Sequence, residues 1–222
     1  MELMEMFVVA AINQKNGKFY NASTYIKYGI AGLAIIALIQ KGRISLEGEK
    51  VIVRDGTSTG NRIVDDVFAV INKAKAAKKL GSWIATGIPW GVKGLEKRVI
   101  FNLEDSGTIR IDEGRFLGLF PTKRYMVTNE AEKEKITERM KAALLGEPTT
   151  VDKDAAILVT LGYSCGFIQK YLSPEEKKAV KVKWKPIVKF TYFDFENEAI
   201  VKTIKAVTKT ITNAKSASNY AM

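Results

Sequence analysis

The stretch from Gly29 to Ile39 carries no charged residue on any side. A helix of this kind is surrounded by protein, because a surface helix keeps one polar face toward water. Ser23 or Thr24 can cap its start and Gly42 can end it. The uncharged run is well short of the ~20 residues that cross a bilayer. We therefore predict a central core helix and not a transmembrane one.

The composition is that of a folded protein with an unusually basic surface. Hydrophobic residues make up 46% and charged residues 27% of the 222-residue chain, which excludes wholesale disorder. The 35 Lys and Arg residues exceed the 24 Asp and Glu residues and give a net charge of +11. Such an excess favours an anionic partner, either nucleic acid or an acidic membrane surface, although it can also serve solubility alone.

The residue types that most catalytic and metal sites need are scarce. The sequence has no histidine and one cysteine, Cys165, so a His-based triad and an ordinary zinc site are excluded. The glycine-rich segments 29–32 and 87–94 match neither the P-loop nor the dinucleotide fingerprint. We expect no enzyme activity, no metal and no cofactor. The lone cysteine and an acidic start unlike a signal peptide predict a cytoplasmic protein.

Hydrophobic periodicity predicts a mainly α chain with one or two short β-hairpins. Besides the central helix, the predicted helices are 1–12, 62–79 with Asn61 as cap, 83–89, 92–104, 130–145, 155–171 and 200–211. The last of these is expected to dock on the core, with a membrane-surface helix as the alternative. One hairpin is predicted over 44–53. A second is predicted from Ile109, with its turn at Gly114 and its return strand at 115–120.

Several short motifs occur in the order found in the Golgi phosphoprotein 3 domain family. In chain order they are Ala22-Ser-Thr, Gly32, Leu38, Gly42-Arg43-Ile44, Thr59-Gly60, Asp65, Trp83-Ile84, Gly107, Phe116-Leu-Gly-Leu-Phe120 and Leu144-Leu-Gly146. The chain resembles this family most strongly over residues 1–171. The resemblance implies a single domain over 1–222, with a central bundle of about four helices, surrounding amphipathic helices and a hairpin.

The resemblance also implies a function. Eukaryotic members of the family are peripheral Golgi proteins that bind phosphatidylinositol 4-phosphate and retain glycosyltransferases. By this resemblance the chain is expected to be a non-catalytic peripheral membrane protein that binds anionic lipid headgroups, phosphoinositides among them. A nucleic-acid-binding protein is the alternative, because a helix followed by a two-stranded wing occurs twice and the net charge of +11 would supply phosphate contacts. A scaffold for another protein is a third candidate.

The headgroup pocket of the family uses a tryptophan, an arginine of the central helix and two arginines before the hairpin. The matching positions here are Ala22, Ala31, Lys93 and Glu96, so Lys93 alone stays basic. Because a phosphoinositide headgroup needs several converging donors, nearby basic residues would have to complete the site. The candidate lipid-headgroup residues are Lys93, Lys27, Lys18, Lys97 and Arg98.

The second hairpin is a further candidate contact. In the family its apolar tip helps membrane insertion or contact between subunits, which would make a homo-oligomer. The corresponding residues here are Phe116, Leu117, Leu119, Phe120, Lys123 and Arg124. An apolar strand beside basic residues suits an anionic bilayer. Equally, strand alternation would allow the four apolar side chains to fill the core.

Overall fold

A computed structural model of the chain describes residues 1–116, 119–147, 151–188, 193 and 195–219. The helices are α1 (Leu3–Ala11), α2 (Ser23–Gln40), α3 (Arg62–Asn72), α4 (Leu80–Ser82), α5 (Ile88–Gly91), α6 (Leu95–Asp105), α7 (Glu130–Leu145), α8 (Lys153–Cys165), α9 (Pro174–Ala179), α10 (Lys181–Val188) and α11 (Glu198–Asn219). The strands are β1 (Ile12–Asn13), β2 (Lys18–Phe19), β3 (Ile44–Glu47), β4 (Lys50–Val53), β5 (Ile109–Phe116) and β6 (Phe120–Val127). Consecutive strands pair as short antiparallel hairpins. Helices account for most of the described residues, so the fold is mainly α, as predicted.

Helix α2 is the centre of the fold. Helices α1, α3, α6, α8 and α11 contact it, and every residue of 29–36 is buried, which confirms the predicted core helix. Among the described residues, α2 is the helix that is long and apolar enough to cross a membrane, and 56% of its residues are buried inside the fold. Its N-cap is Ala22, without a side-chain cap. The prediction that Ser23 or Thr24 caps the helix was therefore wrong.

Two glycines of α2 let neighbouring helices approach its backbone. A β-carbon at Gly29 would lie 2.4 Å from a ring atom of Phe7 in α1, and one at Gly32 would lie 2.3 Å from Cγ2 of Val207 in α11. Both distances are far below van der Waals contact, so a larger residue fits only if a neighbour moves. Helix α11 therefore docks on the core, as expected. Its buried residues include the set Ile200, Ile204, Val207 and Ile211.

Local signals placed several other elements correctly. The Asn61 side chain caps α3 by accepting hydrogen bonds from the N–H groups of Ile63 at 3.0 Å and Val64 at 3.1 Å. The hairpin of β3 and β4 turns at Gly48, which has a φ of 59°. Helix α7 has the predicted bounds, and the side chains predicted to face inward are all buried: Ile136, Met140, Ala143 and Leu144.

Three predicted helices extended too far. Helix α6 begins at Leu95 and not at residue 92, because Gly94 has a φ of 69° and so cannot be part of a right-handed helix. The predicted helix 155–171 ends at Cys165, because Gly166 has a φ of 80°, and a 3₁₀ turn follows over Ile168–Tyr171. These left-handed conformations suit glycine and end regular α-helix.

Helix α3 also ends earlier than predicted, at Asn72. Residues 73–79 are not helical and are largely exposed. This segment instead crosses to the β3–β4 hairpin, where the Val51 N–H donates a hydrogen bond to the Lys78 carbonyl at 3.0 Å. The helix predicted over 83–89 is a π-helical turn, Trp83–Gly87, that runs into α5.

The second hairpin is longer than predicted and turns at a different place. Phe116 is paired with Phe120, and Gly114 lies opposite Thr122 within the ladder. The prediction of a turn at Gly114 was therefore wrong, and so was the return strand at 115–120. The error has a physical reason, since a glycine in an alternating segment can lie inside a strand as well as at a turn.

Leu119 precedes Phe120, whose pair with Phe116 ends the ladder, and so lies at the tip of this hairpin. Leu119 is 77% exposed, so it does not fill the core. Leu117 and the side chains of Phe116 and Phe120 lie outside the described residues. For Leu119, therefore, the structure agrees with an outward-facing tip.

We predict that Gly32→Ala lowers the free energy of unfolding by about 1–3 kcal/mol, because the new β-carbon collides with Val207. Urea denaturation measures the loss. The cost should shrink when the same change is made in a Val207→Ala background. Gly81→Ala in α4 is the control, since a β-carbon there meets nothing within 4 Å. A Gly32→Ala protein as stable as the wild type would contradict the close approach of α2 and α11.

Candidate functional site

A surface cleft of about 540 Å³ lies between α3 and α6. Basic side chains dominate its polar lining: Arg62, Lys93, Lys97 and Arg98. The carboxylate in the lining is Asp66, and the large apolar side chains are Ile63 and Phe101. The cleft thus combines an excess of positive charge with apolar surface.

The periodicity of α6 places its basic residues in the cleft. Its apolar residues face the core and are buried: Leu95, Val99, Ile100 and Leu103. Lys97 and Phe101 are four residues apart and so share the outer face. Gly94 turns the chain just before the helix, and a β-carbon there would lie 3.8 Å from the Lys97 side chain. This turn brings the preceding residue, Lys93, into the lining of the same cleft.

Most of the positive charge in the cleft is unpaired. Arg98 forms an ion pair with Asp66, which ties α6 to α3. Within the described part of the chain, Arg62, Lys93 and Lys97 form no ion pair, and all three are exposed. The N-cap of α6 is Gly94, which has no side chain to cap the first turn. The positive end of the helix therefore adds to the field in the cleft.

Glu96 lies on α6 but points into the fold. Its side chain pairs with Lys27 of α2 at 3.5 Å, and the residue is 9% exposed. Burial raises the pKa of the Glu96 carboxyl above its ordinary value, and the positive charge of Lys27 opposes this rise in part. Lys27 is thus held by Glu96 and does not line the cleft.

The remaining positions of the family pocket do not supply donors. Ala31 is fully buried within α2, and Ala22 is the exposed N-cap of that helix. Lys18 is exposed on β2, outside the cleft. Its hairpin packs on β6, where the Tyr125 N–H donates a hydrogen bond to the Gly17 carbonyl at 2.6 Å. Of the predicted headgroup residues, the structure therefore brings together Lys93, Lys97 and Arg98.

Sequence reasoning missed Arg62, which completes the basic lining of the cleft. The residue follows the predicted cap of α3, so its place in a first turn was readable. Its partner helix was not, because α3 and α6 meet only through the tertiary fold.

Two ion pairs offset part of the positive charge of the long hairpin. Lys123 pairs across the strands with Glu113 at 2.6 Å. Their hydrogen bond and opposite charges lower the pKa of Glu113 and raise that of Lys123. Arg124 lies opposite Asp112 in the ladder, but Asp112 forms its ion pair with Arg110 on its own strand, at 2.7 Å. The hairpin shaft therefore carries less net positive charge than its basic residues alone suggest.

No metal or nucleophile site emerges from the described residues. They contain no group of three or more His, Cys, Asp or Glu side chains that could hold a metal ion. Cys165 is fully buried, and burial raises the pKa of its thiol to about 12. A thiol of this kind is not activated as a nucleophile.

The fold and the cleft define a mainly helical protein with a fixed cluster of positive charge on its surface. The family model described as Golgi phosphoprotein 3 (GPP34) matches residues 3–207. The chain belongs to this family, as its motifs predicted. The match continues beyond residue 171, where the resemblance of individual motifs fades, and reaches into α11.

We predict that Glu96→Gln changes the pH dependence of stability. The raised pKa means that the folded state holds a proton on Glu96 above pH 4.5, where the unfolded state releases it. The wild type therefore loses stability as the pH rises from 4.5 toward the folded pKa, and the glutamine variant lacks this loss.

Urea denaturation from pH 4 to 7 should show a difference, variant minus wild type, that moves in favour of Glu96→Gln as the pH rises. Glu104→Gln removes an exposed carboxylate from the same helix and is the control. A Glu96→Gln difference that is constant with pH would contradict the prediction.

Proposed function

We propose that the protein is a non-catalytic peripheral membrane protein of the cytoplasm that binds anionic lipid headgroups in the α3–α6 cleft. The observation that carries the proposal is the convergence of Arg62, Lys93, Lys97 and Arg98 on one cleft. Phosphate oxygens accept several charge-assisted hydrogen bonds at once, and one guanidinium group can donate two parallel hydrogen bonds to two of these oxygens. Membership of the Golgi phosphoprotein 3 family supports a lipid as the source of that phosphate.

The cleft differs from the family pocket in where its donors come from. The two sites share the basic position Lys93. Glu96 places a negative charge at another position of the family pocket and forms an ion pair with Lys27. Arg62 on α3 and Arg98 on α6 supply the guanidinium groups instead. We therefore propose anionic lipid as the ligand class, with preference for a phosphoinositide depending on these two arginines.

The hairpin tip is the proposed second contact with the membrane. Leu119 is exposed at the turn, beside strands that carry Lys123 and Arg124. An exposed leucine at the end of a long hairpin is unfavourable in water and can be buried at the apolar edge of a bilayer. Contact between two hairpins in a homo-oligomer is the other use of the same tip.

Nucleic acid is the second candidate, and the burial of α2 weighs against it. The first helix-and-wing unit consists of α2 and the β3–β4 hairpin, and α2 is covered by other helices. It cannot enter a groove. The second unit, α6 with the β5–β6 hairpin, does expose Lys97 and Arg98. A DNA or RNA ligand would therefore have to use the same cleft.

We expect Lys93→Glu/Lys97→Glu to weaken co-sedimentation with phosphatidylserine vesicles by about tenfold or more, because basic residues near an anionic surface each contribute to binding. The protein is treated with nuclease first. Lys135→Glu/Lys209→Glu is the matched control, since it changes the net charge equally at exposed positions of α7 and α11.

The vesicle series also separates the candidates. Neutral, phosphatidylserine and phosphatidylinositol 4-phosphate vesicles are compared with the wild type. Binding to both anionic types supports the proposal, and stronger binding to the phosphoinositide adds specificity. Equal loss in both double variants, or no binding to any vesicle, would overturn it. Salt-sensitive retention of an oligonucleotide by protein that ignores vesicles would favour nucleic acid.

A change at the hairpin tip tests the second contact. Leu119→Ser should reduce vesicle binding several-fold without changing thermal unfolding, because the side chain is exposed. Sedimentation velocity of the wild type and variant distinguishes membrane insertion from self-association. A tip used only between subunits would show as a loss of oligomer with vesicle binding unchanged.

A further inference from the structure

Two large aromatic side chains are exposed, one in the lining of the basic cleft and one on the short helix α5, which precedes α6 in the chain. Trp90 is 82% exposed and Phe101 is 63% exposed. Phe101 lines the cleft itself, and Trp90 lies three residues before Lys93 in the sequence. Aromatic side chains of this size normally bury most of their surface. The exposure of both, on the elements that flank Lys93 in the chain, therefore indicates a partner surface.

The local fold holds Trp90 outward. Its helix, α5, packs against α3, where a β-carbon at Gly91 would lie 2.6 Å from the Val70 side chain. Its neighbour Ile88 is fully buried and supplies the core contact of the short helix. The indole of Trp90 is thus not needed for packing, and a firmly seated helix presents it to the surroundings.

Phe101 is fixed in the same way. It stands on the outer face of α6, four residues after Lys97, while Val99 and Ile100 anchor the helix in the core. The cleft, Phe101 and the adjoining α5 turn therefore offer unpaired cations and aromatic rings from rigid elements. Tryptophan and basic residues together are typical of surfaces that sit in the headgroup layer of a membrane.

We propose that Trp90 and Phe101 enter the headgroup layer of an anionic bilayer and turn the α5–α6 edge of the protein toward it. The inference rests on the proposed lipid binding and adds the orientation of the bound protein. Charge complementarity selects the occupant, because Arg62, Lys93 and Lys97 are exposed without ion pairs among the described residues. These cations would contact the lipid phosphates while the two rings leave bulk water.

Tryptophan fluorescence tests the orientation directly. In a Trp184→Phe protein the remaining indoles are Trp90, which is exposed, and Trp83, which is 2% exposed. Phosphatidylcholine vesicles containing phosphatidylserine should shift the Trp90 emission to shorter wavelength and protect it from acrylamide. The matched control is Trp90→Phe/Trp184→Phe, which retains only buried Trp83 and should show neither change.

A binding measurement accompanies the fluorescence. Trp90→Ala/Phe101→Ala should weaken partition onto the same vesicles by about tenfold, because the rings no longer leave water on binding. Thermal unfolding should be unchanged, since both side chains are exposed. Trp184→Phe protein that sediments with vesicles without any change at Trp90 would overturn the orientation and leave lipid binding intact. Protein that does not sediment at all would overturn both.

Discussion

The approach of α11 to the backbone of α2 at Gly32 is the contact on which the rest of the structure depends. Val207 occupies the place where any side chain at position 32 would stand. On another side of α2, Phe7 uses the space left by Gly29. Because both neighbours reach the helix backbone, α2 can be covered closely on several sides. The uncharged stretch 29–39 of α2 needs such cover, since its apolar surface is stable only away from water.

The buried α2 in turn fixes what α6 can display. Helix α6 packs on α1, α2 and α3 through Leu95, Val99 and Leu103, so its opposite face must be outward. Glu96 is the exception, because it is a carboxylate on the inner side. Its ion pair with Lys27 offsets part of the desolvation cost. The same pair offsets the charge of Lys27, which stays exposed but outside the cleft. In the lining of the cleft, Asp66 is the one carboxylate beside the outer cations of α6.

The sequence predicted those parts of the fold that local patterns determine. Helices α2 and α7 follow from their apolar spacing, and the cap of α3 follows from Asn61. The turn of the long hairpin was mispredicted, because Gly114 has the residue type of a turn but lies inside the strand, opposite Thr122. Helix ends were misjudged where a left-handed glycine overrides periodicity, as at Gly166.

The candidate site divides along the same line. Lys93, Lys97 and Arg98 are close in sequence and share a helix start, so proximity along the chain was a fair guide to proximity in space. Arg62 joins them through the packing of α3 on α6, which no local pattern reports. Lys18 and Lys27 were predicted because they lie near family motifs in the sequence. In the structure, Lys18 lies on a separate hairpin and Lys27 is held by Glu96.

The distribution of charge, more than its total, distinguishes the cleft. The hairpin shaft carries basic residues too, but Lys123 pairs with Glu113 and Arg110 pairs with Asp112. Exposed pairs of this kind add little stability, and their fields largely cancel at a distance. In the cleft, a single carboxylate opposes four basic side chains. An anionic surface would therefore be attracted most strongly where Trp90 and Phe101 already stand exposed, and charge and aromatic surface would act on the same edge of the fold.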